Sequence, residues 1–372
     1  MKKSLLYYVI KILQFTNYGL SLLKIHIFYN GKYKKIREDT LGGYSRIANY
    51  DKQQVTKAIR KNGKFSAGKK VHISLSNEYL DIIIIYKSKS ILTNMSNIAA
   101  NGIDVYSVDN NKYCWEKSIN SKSLIQMYAK EKICIDNKKE VELYLPPFAE
   151  IKEIWLGKGN TVKQVAKEIS ILAYGSSISQ GCAASRPGLS YLNILGRKLG
   201  LDITNMGFSE GANGERYVIE ELLMRNKCDL VIVEYDHNSD YDKFEKTHIE
   251  VYKSIRKKTA CPIIFLSRIS GGISNSIDEN DMRIGVINNT LNFAINSGDD
   301  QTFFVNGTSI VKATAEECLT DDRHPNDLGM NIIADELYKL ICDKVLFLND
   351  KRNSEKDYST KNYIENKTRT KI

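Results

Sequence analysis

The sequence predicts an α/β protein in which an all-β sandwich precedes a three-layer domain built on a parallel sheet. Three observations carry that reading. Between about Phe65 and Leu156, short alternating or β-branched runs are broken by Asn, Asp, Gly and Ser, the pattern of a sandwich. After about residue 164, strand-like runs alternate with helix-length segments, the pattern of a parallel sheet covered by helices on both faces. At 372 residues the chain is long enough to bury two cores.

Residues 1–30 are compatible with a helix or an irregular leader. Met1-Lys2-Lys3 followed by Ser4 to Ile10 looks superficially like a signal peptide, but Lys11 interrupts the apolar stretch and no small-x-small site follows. Residues 31–164 form the expected sandwich. Within it Val71 to Leu75 alternates, Leu80 to Tyr86 is continuously apolar, Ile103 to Val108 alternates again, and Val141 to Leu145 precedes Pro146-Pro147. Residues 165–349 form the expected α/β domain, with strands at Ile169–Tyr174, Leu230–Tyr235 and Pro262–Leu266. Helices are expected from Ser190 to Gly200, Phe244 to Lys258, Arg283 to Asn296 and Asp327 to Leu346. Residues 350–372 are polar and charged with few apolar anchors, which reads as a disordered tail.

Composition excludes several classes. Apolar residues make up 42% and charged residues 26%, ordinary for a globular protein. The strongest apolar run, Tyr79 to Tyr86, is strand-length and contains Asp81, so no transmembrane span is expected. The net charge of +10 is uneven: residues 1–164 hold 28 Lys and Arg against 14 Asp and Glu, whereas residues 165–349 hold 19 against 26. A basic front half could meet an anionic polymer or a membrane, but no dense basic cluster appears, so a solvated lysine-rich surface and no nucleic-acid partner are expected. The seven cysteines, Cys114, Cys134, Cys182, Cys228, Cys261, Cys318 and Cys342, include no Cys-x-x-Cys pair. They read as reduced thiols of a cytoplasmic protein. Neither a glycine-rich phosphate loop nor metal-ligand spacing is visible, so no cofactor and no metal are expected.

The chemistry lies in two places. A strand-like run ends in Gly175-Ser176-Ser177-Ile178, and far downstream stands Asp321-Asp322-Arg323-His324-Pro325-Asn326. A serine hydroxyl is a poor nucleophile until an imidazole takes its proton, and a carboxylate three residues before the histidine can hold the correct tautomer. Each residue has a plainer use. Ser177 could cap a helix, His324 could sit on the surface before Pro325, Asn238 could be a turn residue, and Gly207 could serve only a tight turn. Gly-Ser-Ser-Ile also lacks the second glycine of the Gly-x-Ser-x-Gly elbow, which disfavours a standard α/β-hydrolase.

Taken with Asn205-Met206-Gly207-Phe208-Ser209 and Asp236-His237-Asn238, these blocks resemble, in order, those of the SGNH/GDSL hydrolase family. The resemblance covers about residues 165–345. It implies a flavodoxin-like three-layer α/β/α fold and ester hydrolysis through an acyl-enzyme. Ser177 then matches the nucleophile, His324 the base and Asp321 its orienting acid. The oxyanion donors implied are the backbone N–H of Ser177, that of Gly207 and the side-chain amide of Asn238. The sequence departs from the family at Ser176, where Asp is usual, at Glu210, often glycine, and in the Asp-His-Asn block. A sandwich ahead of the domain resembles two-domain carbohydrate esterases with a jelly-roll-like front domain.

The expected function is a metal-independent serine esterase removing a short acyl group, acetyl above others, from a small-molecule or polysaccharide ester. An acyltransferase using the same triad, or a glycan-binding protein without turnover, are the alternatives. Arg186 and Arg268 are cleft candidates because a guanidinium can fork onto sugar oxygens, and His237 reads as structural or cleft-lining. The sequence does not speak to oligomeric state.

Overall fold

A computed structural model of the chain describes residues 5–29, 31–36, 43–47, 50–136, 139–165, 169–269, 277–310 and 315–345. The expected tail at 350–372 lies outside them. Residues 5–28, ambiguous in sequence, form one helix, Leu5–Phe28.

Nine strands follow: β1 (Tyr33–Lys35), β2 (Lys70–Ser74), β3 (Tyr79–Lys89), β4 (Ile103–Asp109), β5 (Lys112–Ile119), β6 (Tyr128–Cys134), β7 (Glu140–Tyr144), β8 (Ala149–Gly157) and β9 (Thr161–Val162). They make two sheets, in order β1-β8-β3-β6 and β5-β4-β7-β2-β9, antiparallel at every pairing. Inward residues of both sheets, among them Val71, Leu80, Ile82, Val105, Leu143 and Ile154, share one apolar core. The continuous apolar run of β3 has a physical cause. Leu80, Ile82 and Ile84 face that core, while Ile83 and Ile85 pack with Trp155 and Ile25 of the first helix, so both faces of the strand are buried. Strand β5 carries no such signal, because at the sheet edge half of its side chains are solvent-exposed and only Ile119 is fully buried.

The second half is a parallel sheet of β10 (Ile171–Gly175), β11 (Ile203–Gly207), β12 (Leu230–Glu234), β13 (Ile263–Leu266) and β14 (Thr302–Val305), ordered β11-β10-β12-β13-β14. This is the flavodoxin-like order, with helices on both faces as expected. Ile171, Ala173, Ile232 and Ile264 bury one face under helices Tyr191–Leu199 and Asp327–Lys344. Leu172, Tyr174, Val231 and Phe265 bury the other under Arg216–Arg225, Tyr241–Arg256 and Ile277–Asn296. The strand order reverses at β10, and the crevice at the carboxyl ends beside such a point is where ligands bind in open α/β sheets.

The halves are joined by buried polar contacts. Asp104 of β4 accepts from Arg186 Nη1 at 2.7 Å and from Gly188 N at 2.8 Å. Arg46 donates to the carbonyls of Phe65 and Asn62 on one side and of Gly207 on the other, the last at 2.6 Å.

Candidate active site

Ser176 caps the short helix Ser177–Gln180 by accepting from Ile178 N, so Ser177 occupies the first helical position directly beyond β10. Its N–H has no acceptor among the described residues, as helix geometry leaves the first amides free. The helix sits tightly on the sheet because Gly175 has no side chain: a Cβ there would lie 2.1 Å from Ser179 Oγ.

His324 arrives from the loop before helix Asp327–Lys344. Asp321 Oδ1 accepts from the backbone N–H of Arg323 at 3.0 Å and of His324 at 2.8 Å, a local turn that explains the three-residue spacing. Asn326 caps the following helix through Leu328 N and Gly329 N. His324 Nε2 lies 2.9 Å from Ser177 Oγ, and its Nδ1 lies 2.8 Å from Asp321 Oδ2. With Nδ1–H donating to the carboxylate, Nε2 is left as the acceptor for the serine proton. The structure therefore brings Ser177, His324 and Asp321 together as the sequence spacing leads one to expect. Burial pushes the Asp321 carboxyl up, but hydrogen bonds from Asn94, the His324 ring and two backbone amides outweigh it and hold the group at about 2. An ionised acid behind the imidazole is the form that stabilises an imidazolium.

Of the expected oxyanion donors, Gly207 is placed otherwise. Its N–H donates to Asn205 Oδ1 at 2.8 Å, and a Cβ at Gly207 would fall 2.3 Å from Gln180 N. The residue is a glycine because β11 packs against the nucleophile helix, and its amide is already spent. Past it, Ser209 N donates to Gln180 Oε1, while Glu210 stands at φ 59° with an N–H that has no acceptor among the described residues. That left-handed backbone explains why glycine suits the position. Asn238 ends a turn of 3₁₀ helix just past β12. One of its amide hydrogens goes to Phe208 O at 3.0 Å, leaving the second available. Donors thus stand at the carboxyl ends of three adjacent strands, β11, β10 and β12.

Residues 167–342 match the GDSL-like lipase/acylhydrolase family model, and residues 29–162 match the model for the N-terminus of SGNH-hydrolase-type esterases. Residues 167–342 thus form a GDSL-like lipase/acylhydrolase domain, behind an N-terminal domain of the SGNH-esterase type. Among solved structures, a protein of the GDSL-like lipase type from Bacteroides ovatus is 22% identical, covering 80% of this chain and 91% of its own, with a TM-score of 0.72. The salicylyl-acyltransferase SsfX3 of a tetracycline biosynthetic pathway is 17% identical over 76% and 84%, with a TM-score of 0.61. A family two carbohydrate esterase from Clostridium thermocellum, solved with cellohexaose, is 15% identical over 74% and 91%, at 0.50. At such identities the likeness is one of fold. No match was found among curated protein sequences.

Two features of this GDSL-like site carry little sequence signal. Asn94, in the loop after β3, donates to Asp321 Oδ2 at 2.9 Å, although the residues around it show no periodicity or motif. Beneath the nucleophile, Glu234 at the end of β12 accepts from Ser176 Oγ at 2.8 Å and Ser179 Oγ at 2.8 Å. Burial without a paired cation holds its carboxyl high, at about 7, against those hydrogen bonds. Here a hint existed, since an acid closes the otherwise apolar run Leu230–Val233. Ser176, which stands where Asp is usual, is one of its partners.

The remaining candidates serve structure. Arg186 pairs with Asp104 and Tyr106 and lies over the Trp115 ring. Arg268 is buried against Asp236 and Glu279. His237 reaches Ile269 O at 3.2 Å, and burial drives its imidazole down to about 3, so it stays neutral and is no second base. His72, Glu142 and Asp202 also come together at metal-ligand distances, a grouping the linear spacing did not show. The ammonium of Lys70 stands among them, 2.7 Å from Glu142 and 3.1 Å from Asp202, and supplies the positive charge such a cluster calls for.

Proposed function

We propose that this protein is a serine esterase that removes short acyl groups, acetyl first among them, from a carbohydrate. The observation that carries the reading is the continuous relay from Ser177 Oγ through His324 to Asp321, at 2.9 and 2.8 Å. Ser177 Oγ attacks the acyl carbonyl while His324 Nε2 takes its proton. Charge on the carbonyl oxygen is met by the N–H groups of Ser177 and Glu210 and by the free amide hydrogen of Asn238, Glu210 replacing Gly207 in that role. Collapse expels the sugar hydroxyl, protonated by His324, and leaves an acyl-serine that water clears by the reverse sequence.

The carbohydrate assignment draws on the shared fold of the Clostridium thermocellum esterase and on the sandwich domain, whose Asn94 borders the triad. Hydrolysis of p-nitrophenyl acetate and acetylated xylose by wild type and Ser177→Ala tests it. Wild-type turnover of both, abolished by the substitution, supports the reading; undiminished activity in Ser177→Ala removes it. The likeness to an acyltransferase favours a second reading in which an acceptor hydroxyl, not water, resolves the acyl-enzyme. Product analysis with added sugar acceptor separates the two.

A further inference from the structure

Helix Leu5–Phe28 is inverted relative to an ordinary surface helix, whose apolar stripe faces the core. Its buried residues include the polar Gln14 and Ser21. Gln14 donates to Leu124 O and Asn17 to Ile125 O, each at 3.0 Å, and Lys11 reaches Lys89 O. Ile25 alone carries the helix's fully buried apolar contact, with Ile83, Ile85 and Trp155. Leu5, Ile12, Phe15, Leu20, Leu23 and Ile27 point outward, Leu5 and Phe15 each 80% exposed. At 100° per residue these fall on one face opposite Gln14, Ser21 and Ile25. A contiguous apolar stripe of this length left in water is unusual and marks a contact surface.

We infer that this face lies on an anionic lipid surface, with the helix in the plane of the headgroups. Charge selects that occupant over a second copy of the chain. Residues 1–37 contain eight Lys and Arg and no Asp or Glu, so two such faces would repel each other, whereas anionic headgroups complement them. Lys24 on the helix and Lys130 and Lys132 on the adjoining β6 are exposed beside it. The helix does not cross the bilayer: no described helix is long and apolar enough, and its inner face is committed to the sandwich. An amphipathic helix with apolar and aromatic residues outward and basic residues at its margins is the interfacial type. It also precedes both family-matched segments, the first of which begins at residue 29.

The test is co-sedimentation of the purified full chain with phosphatidylglycerol–phosphatidylcholine vesicles and with phosphatidylcholine vesicles. The wild type should pellet with the anionic vesicles, weakly with the neutral ones, and less in high salt. Ile12→Asp with Leu23→Asp should cut the bound fraction about fivefold or more while circular dichroism and p-nitrophenyl acetate hydrolysis are unchanged. Phe15→Ser, a milder change, should weaken binding in the same direction if the double variant folds poorly. No pelleting of wild type with anionic vesicles, or pelleting that neither variant reduces, overturns the inference. So does a dimer in solution that these substitutions disperse without any vesicle binding.

Discussion

Asn94 Nδ2 donates to Asp321 Oδ2 across the boundary between the sandwich and the GDSL-like domain, at 2.9 Å. One end of the relay is thus fastened by a residue of the other half of the chain. Asn94→Ala should lower kcat by about tenfold, the low end for a hydrogen bond to a partly exposed charge, with KM little changed. A pH profile shifted together with that loss marks positioning of the His–Asp pair; a raised KM with kcat unchanged contradicts it.

In the proposed mechanism Ser177 and His324 act in one step, so their losses should not add. Ser177→Ala and His324→Ala should each reduce kcat by on the order of 10⁴-fold or more, and the double variant should be no worse than the worse single one. Steady-state kinetics on p-nitrophenyl acetate reads this directly, and additive losses would show that the two side chains do not share a step.

The turn after β11 makes separable predictions for Gly207 and Glu210. Gly207→Ala should unfold or strongly destabilise the protein, because the new methyl meets backbone at 2.3 Å. Glu210→Gly should keep kcat within about threefold, since the N–H remains, and raise stability by up to about 1 kcal/mol as the left-handed strain is relieved. Denaturant melts of both variants, alongside their activity, decide whether the amide or the side chain at 210 matters.

Removal of the Asn238 amide by Asn238→Ala should cost on the order of 100-fold in kcat, the usual loss for one oxyanion donor. Asn238→Asp should cost more, since a carboxylate beside the developing negative charge repels it. Equal kcat for wild type and Asn238→Ala would take Asn238 out of the oxyanion set.

Glu234 and Asp321 give opposite pH signatures. The Glu234 carboxyl titrates near 7 in the folded chain against about 4.3 when unfolded, so the folded state holds the extra proton in between. The Glu234 contribution to stability should therefore fall from pH 4.5 to 7, by up to about 1.4 kcal/mol per pH unit, against the opposite slope of the buried His237 and His248, both held near 3, and Glu234→Gln should make the net slope in thermal melts more positive. Asp321 is depressed to about 2; its contribution is present above about pH 4 and is lost as pH falls towards 2. Equal slopes for wild type and Glu234→Gln between pH 4.5 and 7 are incompatible with a buried, protonated Glu234.

Much of this was legible in linear order, because local rules govern it. Strand and helix periodicity marked the central strands β10, β12 and β13, which are buried on both faces and so read as continuous apolar runs. The Asp321–His324 spacing is a local turn, readable from a few residues. The half-exposed edge strand β5 and the short strands β1 and β9 carry no clear sequence pattern, because burial contributes little to their composition. Cys228 and Cys261, scattered in sequence, meet at 3.7 Å for a related reason: only the packing of distant segments decides who neighbours whom.

The α/β class, the parallel sheet, the serine turn beyond β10 and the Asp321–His324 loop are each written within a short window of residues by periodicity and turn chemistry. The remainder depends on how distant segments pack. Asn94 reaches Asp321, Glu234 lies under Ser177, Gly207 packs against Gln180, and the first helix turns its apolar side outward. These are long-range pairings, fixed by which surfaces pack together, and no local pattern encodes them.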